Sequence, residues 1–300
     1  MRSENINHEF LDPVVDGGAV DVYYHLGLSS DDPLIGPMRD VSVVVLAGSG
    51  DRIRSLAARW SAEHDDAPVL AVPKEDRFVT RYCHGVLFVS HGMGMASASI
   101  ALQELMRLVF LLKGGDEGAL EQVRWVRVGT CGGIGLAPGT VVLTSEAVMV
   151  DLRPFRVLHG SGGELWFDGR FPAAEIDALT AVARAAGIPV EVGRTISGNE
   201  FFLEQFRRDG AIVKETEESR AEWLRRVHDH GVRSIEMEGA MIAGYLNHWG
   251  FPRFAMICAA VLDRLAGDQV TATPAQLDAY VERAADVLIA YLRAVVGPPR

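Results

Sequence analysis

Val123–Leu136, VRWVRVGTCGGIGL, is the stretch on which the reading of this chain turns. Val126 and Val128 alternate with Arg127, a period-2 pattern that predicts a short apolar strand. The strand is expected to end abruptly in Gly129, Thr130, Cys131, Gly132 and Gly133. Glycines at a strand exit permit a tight turn and close backbone approach to a ligand. They also leave backbone N–H groups able to point at an anion. The guanidinium of Arg127 and the hydroxyl of Thr130 would complete an oxyanion pocket. The same residues also read as a glycine-rich turn between two strands with Arg127 on a solvated face. From this segment alone the two readings stand level.

Working outward, the same grammar recurs. Val41–Ala47 predicts a strand apolar enough to be covered on both faces. It runs into Gly48-Ser49-Gly50-Asp51-Arg52, and a helical pattern follows to about Trp60 through Ile53, Leu56 and Ala57. Strand, glycine turn and helix place N–H groups beneath an anion. Arg52 reads either as an anion ligand or as an exposed first-turn arginine. The turn is no Walker motif, for it lacks Gly-Lys-Ser/Thr, and no dinucleotide fingerprint, for it lacks the third glycine. Strands are expected at 69–72 and 86–90, and His91–Ser97 is a second small-residue exit before a helix to Leu112. Lys113–Gly118 reads as a loop, and 139–143 and 148–150 as strands. Residues 151–172 read as loops and short strands, 171–187 as a helix and 190–195 as a strand. Ser197–Phe206 reads as a loop or short helix and Thr216–Asp229 as a charged helix. Two glutamates bracket Met237 where a strand hands over to a helix that runs to Asn247. A strand at 253–261 and a helix at 274–295, with Pro274 in its first turn, close the chain. This alternation predicts an α/β fold with its ligand beyond the carboxyl ends of the strands.

Composition narrows the function. A formal charge of -11 and a pI near 5.3 argue against a nucleic-acid partner. Hydrophobic residues make up 48% of the chain and mean hydropathy is +0.12, enough for a substantial core. Cys83, Cys131 and Cys258 are spaced as neither a metal set nor a disulfide framework, which fits a reducing cytoplasm. The polar, acidic start of the chain does not read as a signal peptide. No apolar run is read as reaching about 18 residues, so no membrane span is expected.

DVYYHLGL, GSGDR, HGMGMASASI, RVGTCGGIGLAPGTVV, FFLEQFRRDGA, SIEMEGA and VLDRLAGDQV together resemble the nucleoside phosphorylase-I family. The match runs from about Asp21 to Leu292, and Gln205-Phe206-Arg207 is the mark of its uridine branch. The resemblance implies a single-domain, three-layer α/β/α fold with a central mixed twisted β-sheet. It places a loose arm at 1–18 and the catalytic domain at 19–296. Phosphate would be held by Gly48, Arg52, Arg127 and Thr130, with Arg77 lent by a partner subunit. His25, also from the partner, would reach the ribose 5′-hydroxyl. Glu238 would take the 2′- and 3′-hydroxyls, with Met237 packed on the sugar and Glu236 in support. Gln205 and Arg207 would read the base, with Phe201 against the ring and Cys131, Gly132, Val261, Leu262 and Asp263 along the base side. Arg127, Glu238, Arg207 and Gln205 would carry the catalysis. The implied enzyme is a pentosyltransferase using phosphate as co-substrate, without metal, cofactor or covalent nucleophile. A homodimer is expected over a hexamer, without nucleic-acid or membrane partners.

Three departures from the family pattern bear on this. Gly50 stands where a proline is common and is expected to loosen the first glycine turn. Phe78 replaces the glutamate that helps bind potassium in bacterial hexameric members, so no such ion site is expected. Asp263 stands where the uridine branch usually has asparagine and the bacterial purine enzymes have a proton-donating aspartate. That keeps open a purine-type or broad-specificity phosphorylase. A water-using nucleosidase and a non-catalytic nucleoside-binding protein are compatible with the same motifs. No histidine adjoins Cys131 in sequence, which argues against a thiolate mechanism.

Overall fold

In a computed structural model that describes residues 4–75 and 77–296, contacts divide the chain into two compact units. Met1–Arg127, His248–Phe254 and Leu292–Arg300 form one, and Val128–Asn247 with Ala255–Tyr291 the other.

The first unit opens with helix α1, His8–Val15, capped by Asn7 and burying Leu11 and Val14. Strands β1, Val22–Tyr23, and β2, Leu28–Ser29, pair antiparallel. The fully buried strand β3, Val43–Ala47, leads into helix α2, Gly50–Ala62. Strands β4, Leu70–Ala71, β5, Thr80–Cys83, and β6, Val86–Ser90, follow, and β6 runs parallel to β3. Helix α2 packs on β3, β5 and β6 through Ile53, Leu56, Ala57 and Trp60, the stripe its periodicity predicts. Helix α3, Met95–Leu112, is 18 residues long and apolar enough to cross a bilayer by composition, but 67% of it is buried in the protein. The loop expected at 113–118 instead feeds a short helix, α4, Glu117–Leu120, because the Asp116 carboxylate accepts the Ala119 N–H at 3.1 Å.

Strand β7, Arg124–Gly133, crosses the boundary between the units. In the second unit β8, Val141–Val148, is one continuous strand where two were expected. Strands β9, Phe155–Leu158, and β10, Glu164–Phe167, make a separate hairpin. Helix α5, Ala173–Ala185, and strand β11, Val190–Ser197, come next. Residues 198–215 hold no regular element. Helix α6, Glu217–Asp229, is followed by β12, Val232–Glu236, α7, Gly239–Trp249, β13, Phe254–Asp263, and α8, Pro274–Val295. The highly charged α6 is amphipathic: Arg220, Trp223, Leu224 and Val227 are buried, a one-face pattern. Trp223, Leu224 and Val227 pack with Ile134, Val148, Ile196, Val232 and Ile235.

The nine-stranded sheet has the order β12-β11-β8-β13-β7-β3-β6-β5-β4. It is mixed: β11 is parallel to β8 and β12, whereas β13 is antiparallel to β8. The α/β class and central mixed sheet are as the sequence led one to expect.

Candidate active site

In the first unit the β3 exit is a helix N-terminus. The Ser49 hydroxyl caps α2 by accepting the Arg52 N–H at 3.3 Å. A Cβ on Gly48 would stand 3.2 Å from the Gly92 carbonyl oxygen, so the two small-residue exits approach closely there. A Cβ on Gly50 would lie 2.5 Å from Cγ2 of Val79. Gly50 therefore does more than loosen the turn: its missing side chain admits Val79. Arg52, in the first turn of α2, is half-buried, and the end of a helix carrying free N–H groups favours an anion. Arg127 on β7 is 5% exposed, whereas Arg77, ahead of β5, is on the surface. His25 lies between β1 and β2 with its side chain 34% exposed and Nδ1 2.7 Å from Oε1 of Glu104.

The central stretch differs from its sequence reading. Strand β7 does not stop at Gly129 but continues to Gly133, and Gly132 and Gly133 pair antiparallel with Ile235 and Ser234 of β12. The left-handed turn falls at Gly135, φ 68°. The earlier glycines serve packing: a Cβ on Gly132 would sit 2.9 Å from Cγ of Arg264, and one on Gly133 would sit 3.1 Å from the Leu262 carbonyl oxygen. Thr130 is half-buried and Cys131 buried. A hydrogen bond with Cys258, then burial, pushes the Cys131 thiol well above its ordinary range, which disfavours a thiolate there.

Gln205 and Arg207 are 4% and 9% exposed, although 198–215 is irregular. Phe206 between them takes φ 53°, unusual for an aromatic residue, and stacks on Trp223 at 4.3 Å and 3°. Stacking of this kind contributes roughly 0.5–1.5 kcal/mol beyond burial, against a backbone strain of about 1–3 kcal/mol. Arg207 donates from Nε and Nη2 to the two Asp209 oxygens at 2.8 and 2.5 Å, and from Nη2 to the Asp268 carbonyl at 2.8 Å. That pairing holds the Asp209 carboxyl below its usual range. The guanidinium lies 4.5 Å from the Phe201 ring centre, close enough for cation–π attraction.

Arg264, only 1% exposed, donates from Nη2 to the Gln205 carbonyl at 2.7 Å and from Nε to Oδ1 of Asp268 at 3.1 Å. Its Nη1 has no hydrogen-bond partner in the protein. Burial draws its pKa down to about 10, which leaves it charged at neutral pH. Asp268 also accepts from Arg220 at 3.0 Å. Burial raises the Asp268 pKa, but the Arg208 N–H and the Arg264 and Arg220 guanidiniums outweigh it and hold the carboxyl below its ordinary value.

The Glu-Met-Glu segment ends β12 and opens α7. Glu236 is consumed by scaffolding: it accepts the Ser197 hydroxyl at 2.5 Å, the Glu238 N–H at 2.9 Å and the Gly239 N–H at 3.0 Å. Glu238 is 4% exposed and Met237 half-buried. Among the β13 residues Val261 is half-buried and Leu262 buried. Oδ1 of Asp263 accepts the Gly135 and Leu265 N–H groups at 2.9 and 3.0 Å, a tether for the turn after β7.

These contacts join Gly132, Gln205, Arg207 and Phe201 into one connected group around Arg264 and Asp268. Gly48, Arg52, Arg77, Arg127 and His25 all belong to the first unit. Sequence reasoning missed Arg264, Asp268, Asp209 and Arg220. The first two lie within the quoted motif VLDRLAGDQV, which was the available signal. Among the described residues no group of three or more His, Cys, Asp and Glu could hold a metal ion.

A family model described as the phosphorylase superfamily matches residues 42–296. The uridine and thymidine phosphorylase of Caenorhabditis elegans is 33% identical over 279 residues, 92% of each chain. The inactive uridine phosphorylase B of Schistosoma mansoni is 29% identical over 282 residues, 91% of this chain and 92% of that one. The crystal structure of Schistosoma mansoni uridine phosphorylase in complex with uracil aligns with a TM-score of 0.87 at 28% identity, over 96% of this chain and 98% of that one. Extent, identity and fold agree with the motifs: the chain belongs to the phosphorylase superfamily and, within it, to the uridine phosphorylase family.

Proposed function

We propose that this protein is a pentosyltransferase that catalyses the reversible phosphorolysis of uridine to uracil and ribose 1-phosphate, with deoxyuridine and thymidine as poorer substrates. The observation that carries the base assignment is the locked pair Gln205 and Arg207. Both are buried, and each is held by a charged neighbour. The Gln205 amide offers an acceptor and a donor to the O–C–N–H edge of uracil. Arg207 stabilises charge developing on a carbonyl oxygen as uracil leaves. The names of the relatives point the same way, since one acts on uridine and thymidine and another holds uracil.

The rest of the reaction follows from the residue types. Phosphate is oriented toward C1′ by Arg127, Arg52, Thr130 and the Gly48 turn, with Arg77 from a second protomer. Glu238 accepts the 2′- and 3′-hydroxyl protons and holds the ribose while it gains oxocarbenium character. Met237 packs on the sugar, and Glu236 braces the segment. Cys131, Gly132, Phe201, Val261 and Leu262 line the base. Asp263 acts as the tether described above, which asparagine would also supply through its carbonyl oxygen, and this favours the pyrimidine reading over a purine one. The working unit is a cytoplasmic homodimer in which His25 and Arg77 serve the neighbour's site. Their surface positions and the free, buried cysteines support that reading.

A second reading has its own support: one relative at 29% identity is named inactive, so this scaffold also exists without turnover. Ultraviolet-monitored cleavage of uridine, thymidine and inosine, each with and without phosphate, separates the cases. Uridine cleavage only with phosphate is expected. Uridine binding without turnover would leave a nucleoside-binding protein, phosphate-independent cleavage a nucleosidase, and inosine ahead of uridine a purine-type enzyme governed by Asp263.

A further inference from the structure

The segment that carries His25 is clamped to α3 by one side chain. Glu104, whose side chain is 10% exposed, accepts the His25 backbone N–H at 3.0 Å and the Leu26 N–H at 3.0 Å. It also meets Nδ1 of His25 at 2.7 Å. One turn along α3, Arg107 pairs with Asp21 at 3.2 Å and donates to the Val22 carbonyl at 3.3 Å. Asp21 to Leu26 is thus pinned at both ends, yet Arg107 and Asp21 suffice to hold its start. What Glu104 adds is control of the imidazole. An ionised carboxylate only accepts, so Nδ1 must carry the proton. In the neutral ring the lone pair is then left on Nε2, and the second ring nitrogen is defined by the bond the first one makes.

We propose that Glu104 is a positioning residue that fixes the His25 tautomer, so that Nε2 presents an acceptor to a hydrogen-bond donor at the 5′ position of the nucleoside. This rests on the reading above that His25 meets the ribose 5′-hydroxyl in the neighbouring protomer's site. Selectivity for a 5′ donor then originates in a residue of α3 that does not itself touch substrate. Glu104→Gln reverses the logic: the amide can donate to Nδ1, and the proton moves to Nε2.

The test is kcat/KM for uridine and for 5′-deoxyuridine, which lacks the 5′-hydroxyl, in wild type, His25→Ala and Glu104→Gln. His25→Ala sets the reference: if it leaves the uridine-to-5′-deoxyuridine ratio at the wild-type value, the assignment of His25 fails, and the proposal with it. If His25→Ala collapses the ratio, Glu104→Gln is expected to lower it by roughly tenfold, the size of one mispaired hydrogen bond, while 5′-deoxyuridine turnover stays within about twofold of wild type. A ratio unchanged in Glu104→Gln, or equal losses on both substrates as a purely structural role would give, overturns the proposal. Should that variant not fold, wild type decides. Near pH 8, above the ordinary histidine range of about 6.5, 5′-amino-5′-deoxyuridine is expected to outrun 5′-fluoro-5′-deoxyuridine, and the reverse order sinks the lone-pair assignment.

Discussion

The two halves of the candidate site solve opposite problems. The residues proposed to read the base are buried and locked within their own unit. Gln205, Arg207 and Arg264 are all at or below 9% exposure, and the arginines are balanced by Asp209 and Asp268. Two residues proposed to serve the phosphate and the sugar's 5′ end, Arg77 and His25, instead stand at the surface of theirs. Uracil is neutral, so its reader needs fixed geometry more than net charge, and carboxylates can neutralise the guanidiniums without cost to recognition. A shared site has the opposite requirement. Groups that act on a neighbour's substrate must remain accessible on the free chain and become useful only when a partner arrives. Burial thus separates what one chain completes alone from what it lends.

The sharpest way to break this comparison is dilution. Below the dimer dissociation constant, followed by analytical ultracentrifugation at matched concentrations, phosphorolysis is expected to vanish. A proven monomer with full turnover would show that the exposed residues are not lent at all.

The buried half makes its own claim on stability. Asp268→Asn leaves Arg264 and Arg220 without their shared counter-charge, and a loss of about 3 kcal/mol is expected from denaturant unfolding. The pH sign follows from the direction of the shift. The folded pKa of Asp268 lies below its ordinary 3.8, so its contribution is present above that value and fades as pH falls through the lowered one. Wild type should therefore lose stability on acidification below about pH 4, and the variant should lose less over that window. Matching acid limbs in the two proteins would mean that the aspartate does not hold the arginines as charged partners.

A smaller effect sharpens the comparison. Arg207→Ala should lower uridine kcat/KM by about 10- to 100-fold and inosine turnover by less. Equal losses on both nucleosides would show that Arg207 supports the loop without reading the base.

Much of this was visible before the fold. The α2 and α6 stripes and helix α8 follow from local periodicity, and helix α8 begins and ends where the sequence placed it. Motif spacing marked the base and ribose segments. The central glycines were harder. They read as a turn, but Gly132 and Gly133 lie in a strand because β12 pairs with them and the stem of Arg264 and the Leu262 carbonyl occupy the space a side chain would fill.

By itself the sequence determined which segments become strand or helix, because side-chain period and backbone preference act within a few residues. It also carried the family's motifs and the acidic balance. Tertiary structure alone decided which charges meet. Arg264 reaches the carbonyl of Gln205 across 59 positions and Glu104 reaches His25 across 79. Such pairs leave no periodic trace, since they depend on chain topology and on the burial that makes an unpaired charge too costly to keep.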